Sequence, residues 1–102
     1  MILVMGEIKL AAGGGDKARA LLAEHAAACM GEDGCDLYVF SFDAGDPDLV
    51  RISERWATPE ALAAHGGAPH QKAFGRALRD HPIERISVKA WDGQFWRTLI
   101  GD

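Results

Sequence analysis

The hydrophobic period of this chain changes several times along its length, and the order of those changes limits the folds open to it. Ile2, Val4, Ile8 and Leu10 fall on one parity, with Leu3 and Met5 on the other, which is the two-residue repeat of a strand. From Lys17 to Met30 the apolar positions Ala18, Leu21, Leu22, His25 and Cys29 return at three- and four-residue intervals, which predicts a helix with Asp16 placed to cap it. The Gly13-Gly14-Gly15 run before it lacks both the Gly-Lys-Ser/Thr of a phosphate loop and the dinucleotide spacing, so it reads as a flexible connector. After a turn at Gly31 to Gly34, the alternation resumes in Cys35 to Asp43, with Leu37 and Val39 opposite Tyr38, Phe40 and Phe42. Ala44 to Asp48 has the residues of a hairpin turn, and Leu49 to Trp56 is the returning strand.

Thr58-Pro59-Glu60 then opens a short helix, Thr as cap and Pro in the first turn, which Gly66-Gly67 ends just past His65. Pro69 starts a second helical segment to about Arg79, and Ile83 to Trp91 is a further strand. Asp92-Gly93 is a hairpin signal, so Gln94 to Ile100 is expected to fold back as an extra C-terminal strand. The order is that of an α+β, ferredoxin-like βαββαβ domain over residues 1–102, an antiparallel sheet with helices on one face. The first two strands carry apolar residues on both parities. Helices cover only one face, so the other would expose an apolar patch, and a homodimer packed sheet to sheet is the expected remedy.

The partners this composition excludes follow from charge and hydropathy. A net charge of −4, spread without basic runs, argues against nucleic acid. No signal peptide or membrane span is visible, so no membrane partner and a cytoplasmic location are expected. Cys29 and Cys35 are too few and wrongly spaced for a disulfide framework or a Cys-x-x-Cys site, and read as reduced thiols.

His65 and His70 are the conspicuous polar pair. They stand five apart with Pro69 between them, so they fall on separate helical segments rather than at the i, i+4 spacing of a zinc pair, and no metal site is expected. His65 also suits a plainer role, satisfying the last carbonyls of its helix. Glu54 shares a strand face with Val50, Ile52 and Trp56, where a carboxylate must find a partner, and a histidine on the overlying helix is the obvious one. A Glu54–His65 pair is therefore expected.

The run Gly34 to Phe74 resembles the antibiotic biosynthesis monooxygenase family, especially its small quinol-monooxygenase-type members. The matching features are Gly34-Cys35 with Tyr38 following, the Asp46-Pro47 turn and Glu54-x-Trp56. The Glu60-Ala61-Leu62 helix, His65, and Pro69-His70 with Phe74 behind complete the match. The resemblance implies a dimeric α/β barrel with a pocket between sheet and helices. It implies oxidation of a phenol or quinol by molecular oxygen with no cofactor, the substrate's own anion supplying the electron. In that scheme His65 is base or donor with Glu54 orienting it, while Trp56, Tyr38, Phe74 and His70 contact the substrate. Polyketide-tailoring members carry an Asn where this chain has Ile52, and haem-degrading members an Asn in the first strand, where this chain offers Glu7. Haem degradation and a non-catalytic ligand-binding module are the alternatives. A phosphorylated ligand would have only Lys72 and Arg76 to meet it.

Overall fold

The strands and helices take the expected order in a computed structural model describing residues 1–102: β1 (Ile2–Leu10), α1 (Gly14–Met30), β2 (Cys35–Asp43), β3 (Asp46–Trp56), α2 (Pro59–Gly67), α3 (Pro69–Leu78) and β4 (Ile83–Asp92). All neighbours pair antiparallel in the sheet order β2-β3-β1-β4, the ferredoxin-like arrangement.

Register decides which residues meet the helices. Val4 and Tyr38 lie on either side of Glu54, and Ile8 and Phe42 on either side of Val50. Their side chains therefore share one face with Ile2, Ile52 and Trp56. That face packs under α1, α2 and α3 in two clusters. One joins Ile8, Leu10, Leu22, Val50, Phe74 and Leu78; the other joins Ile2, Val4, Cys29, Tyr38 and Trp56. The opposite parity, including Leu3, Met5, Val39 and Trp91, stays exposed on the uncovered face. The helices stop short of β4, which is exposed along its whole length.

Three local expectations are corrected. The glycine run is not a connector: Gly14 and Gly15 form the first turn of α1 and are buried. Gly13 is the N-cap residue, and Asp16 lies inside the first turn rather than at the cap. The capping acceptor comes from across the fold, where the Asp48 carboxylate takes the Gly13 and Gly15 amides at 3.1 and 2.9 Å. A side chain at Gly15 would put its Cβ 2.0 Å from the Pro47 carbonyl oxygen, so the close approach of α1 to β3 requires glycine there. Likewise, Gly66-Gly67 completes α2 instead of ending it, and Ala68 breaks the helix before Pro69.

The third correction concerns the C-terminus. Residues beyond β4 form no fifth strand. The Gly93 amide donates to the Met1 carbonyl at 2.9 Å and the Met1 amino group to the Gly93 carbonyl at 2.8 Å. The backbone groups a hairpin would need are thus spent prolonging the β1–β4 ladder, and the chain runs on without reversing. Phe95, Trp96, Leu99 and Ile100 are left exposed.

Candidate functional site

The C-terminal end of α1, the turn that follows it, α2 and α3 all send polar side chains to one place. The amphipathic stripe of α1 brings His25 and Cys29 inward, and Glu32 follows from the turn that α1 runs into. Thr58 accepts the Ala61 amide at 3.1 Å and fixes the start of α2, which delivers His65 to the buried side. Pro69 starts α3 so that His70 and Gln71 fall in its first turn.

One carboxylate oxygen, Glu32 Oε2, organises the centre. His65 Nδ1–H donates to it at 2.7 Å and His70 Nε2–H at 2.9 Å. The break at Pro69 therefore does not separate the two histidines; it folds them back onto a common acceptor. Burial opposes charge on Glu32, but the two histidine hydrogen bonds outweigh it and hold the carboxyl below its ordinary range.

The expected Glu54–His65 pair is not formed. Glu54, buried between Val4 and Tyr38, instead accepts the Trp56 indole N–H at 2.8 Å. Burial raises the Glu54 pKa, and the indole bond only partly offsets it. The reason for the exchange is distance along the strand. Residues two apart on a strand share a face, so Trp56 reaches Glu54 from within the same strand.

His25 forms the other half of the site. Its Nε2–H donates to Gln71 Oε1 at 2.7 Å, with Cys29 Sγ also 3.3 Å from that nitrogen. Its ring lies on Phe74 with centroids 3.8 Å apart and planes 2° from parallel. Nδ1 has no hydrogen bond within the protein, yet it is not sealed from solvent. Burial lowers the His25 pKa, keeping the ring neutral near neutral pH. Burial likewise pushes the Cys29 thiol up to about 12 and raises the Tyr38 phenol, so neither ionises on its own.

Between α1 and α3 opens a cleft of about 240 Å³, lined by Leu21, Glu24, His25, Ala28, His70, Ala73, Phe74 and Ala77. Of the residues singled out in the sequence, His70 and Phe74 reach this cleft. Glu54, Trp56, Tyr38 and His65 do not; they are packed behind it, Trp56 with no exposed surface at all. His25, Glu32 and Gln71 were missed as site residues. His25 could have been found as a histidine four residues before a cysteine on an apolar helical stripe. Glu32 carries no such signal, since an acid in a Gly-flanked turn is ordinary.

Two further hollows lie elsewhere. One of about 460 Å³ is on the uncovered sheet face, lined mainly by polar groups such as Glu7, Arg51, Ser53 and Lys89. Another, of about 410 Å³, lies where α2 stops short of β4. Neither contains a histidine. No helix is long and apolar enough to cross a membrane.

Comparison with known proteins agrees with this architecture. The family model described as antibiotic biosynthesis monooxygenase matches residues 1–77. Among solved structures, a candidate antibiotic biosynthesis monooxygenase from Deinococcus radiodurans is 27% identical, with a TM-score of 0.91 over 99% of this chain and 100% of its own. Rv0793 from Mycobacterium tuberculosis shares the fold at 21% identity, with a TM-score of 0.83 over 95% of this chain and 98% of its own. PA3566 from Pseudomonas aeruginosa shares it at 21% identity, with a TM-score of 0.81 over 92% and 94%. Among curated proteins, none matches the chain.

Proposed function

Because this chain belongs to the antibiotic biosynthesis monooxygenase family, we propose that it is a monooxygenase acting on a small phenol or hydroquinone with molecular oxygen, in the cleft between α1 and α3. The observation that carries the reading is His25 itself: a neutral imidazole in the wall of a mainly apolar cleft, held by Gln71 and stacked on Phe74, with Nδ1 free of hydrogen bonds within the protein. A base in that position can take the phenolic proton, and the aromatic wall holds the ring beside it.

The reaction balances with no other reagent. Oxygen accepts an electron from the substrate anion, and recombination forms a carbon–oxygen bond. Loss of water then leaves a hydroxylated quinone. One oxygen atom stays on the ring, the other leaves as water, and the four electrons come from the quinol. Five of the eight lining residues are apolar, and they lower the polarity around the anion.

Volume supports a small substrate. About 240 Å³ lies between the 150 Å³ cavity that holds benzene and the 300–1,000 Å³ of drug-sized sites, which suits one or two fused rings and not a haem. The base in this reading is His25 and not His65, which instead positions Glu32. A homodimer through the uncovered face belongs to the same reading, supported by Leu3, Met5, Val39 and Trp91 lying exposed there.

Oxygen uptake with a panel of benzo- and naphthohydroquinones tests it. Wild type should consume oxygen above buffer, and His25→Gln should lower kcat by about 10²-fold with unchanged circular dichroism. Equal rates in the two proteins would overturn the assignment. Quinol binding with no oxygen uptake would make the chain a binding module instead.

A further inference from the structure

Behind the cleft wall, Cys29, Glu32, His65 and His70 bring one sulfur, one carboxylate oxygen and two imidazole nitrogens within 4.8 Å of one another. We infer that these four side chains form a binding site for a divalent transition cation of the zinc type. The inference does not rest on the oxidation reading, which uses His25 and the cleft.

The donor set is what such a cation selects. Thiolate and imidazole favour borderline-soft ions over calcium or magnesium, which take oxygen ligands in larger number. Four ligands complete a tetrahedron, with bonds of about 2.0–2.3 Å and ligand-to-ligand edges of about 3.3–3.8 Å. The two imidazole–carboxylate separations, 2.7 and 2.9 Å, are a little shorter than such an edge, and the longest separation is about 1 Å greater. Rotations of the Glu32 and His70 side chains, the two on the exposed side of the cluster, would close that difference. Cys29 and His65 are buried and already fixed.

Charge agrees with geometry. A thiolate and a carboxylate neutralise a divalent cation, so the buried cluster carries no net charge once filled. Balance requires one proton to leave per cation, that of the Cys29 thiol. The ring protons of His65 and His70 move to their other nitrogens. His25 supplies an outer contact, its Nε2 lying 3.3 Å from Cys29 Sγ, as groups behind a metal ligand commonly do. The consequence for the fold is a clamp. The ligands come from the end of α1, the turn after it, α2 and α3, so one cation would pin three helices that otherwise meet through packing and a few side-chain hydrogen bonds.

Cobalt(II) alone, titrated into tag-free, chelator-treated protein with no quinol present, tests this. Expected are one equivalent per chain, the intense visible bands of four-coordinate cobalt, a thiolate-to-cobalt charge-transfer band, and displacement of all three by zinc. Cys29→Ser should abolish the charge-transfer band. His70→Gln, a partly exposed position where folding should survive, should weaken binding at least ~10-fold. A weak six-coordinate spectrum, a charge-transfer band that persists in Cys29→Ser, or affinity unchanged in a folded His70→Gln would overturn the site and leave only adventitious surface binding.

Discussion

Trp56 donates its indole N–H to Glu54, its neighbour-but-one on β3, at 2.8 Å inside the core. Each residue explains the other's burial. The carboxylate has a donor on its own strand, and the indole nitrogen, which only donates, has an acceptor. Trp56→Phe removes the donor and leaves Glu54 buried without a partner. The loss of indole volume adds to that penalty, and a destabilisation of roughly 2–4 kcal/mol is expected in urea unfolding. A loss below about 1 kcal/mol would show that the pair does not hold this part of the core.

Glu54 also gives the fold a pH dependence with a definite sign. Burial raises its folded pKa above that of the unfolded chain. The folded state therefore favours the protonated form, a contribution complete below the unfolded value near about 4.3 and lost as pH rises through the folded value. Glu54→Gln fixes the side chain neutral. The stability of wild type minus that of Glu54→Gln should fall as pH rises from about 4 toward 7. Asp43 and Asp46 act in the opposite sense. Their pKa values are lowered, Asp43 by the Gly45 amide and Arg51, and Asp46 by Lys9 and the Asp48 amide. Because both variants share them, they cancel in the difference. A difference that grows with pH would contradict the burial argument.

Gly34 sits where α1's exit turn meets α2. Its φ of +79° is in the left-handed region, and a Cβ there would lie 2.6 Å from that of Ala61. Backbone strain and overlap act together, so Gly34→Ala should cost at least ~2 kcal/mol, or about 8–16 °C in Tm for a domain of this size. The displaced start of α2 carries His65 with it, so the His65–Glu32 contact should loosen too. Retention of the wild-type Tm would mean the turn relaxes freely.

What the sequence made legible follows from which interactions are local. Strand parity placed Val50, Ile52, Glu54 and Trp56 on the covered face, and Thr58-Pro59 marked the start of α2, because both signals come from near neighbours. The site was less legible because its contacts cross the chain. Glu32 meets His65 from 33 positions away, and Asp48 caps α1 from 33 and 35. Neither can be read from spacing. The Pro69 break puts His65 and His70 on separate helical segments, yet two short helices meeting at a sharp corner can aim their last and first turns at one point. The C-terminal strand failed for a related reason. Asp92-Gly93 has hairpin chemistry, but Met1 supplies a better-placed partner for Gly93.

The uncovered sheet face sets the last expectation. Leu3 and Trp91 are paired across β1 and β4, and Met5 lies two residues on, so the three form one apolar patch beside the charged group of Glu7, Arg51 and Arg85. A patch of this kind is buried in the proposed homodimer, and a charge introduced at its centre would face its own copy across the two-fold axis. Met5→Asp leaves the helix-covered core untouched, since Met5 is 60% exposed. Wild type should elute as a dimer in size-exclusion chromatography at micromolar concentration. Met5→Asp should elute as a monomer with its circular dichroism preserved. A monomeric wild type, or a dimer that Met5→Asp does not disturb, would remove this face from the assembly.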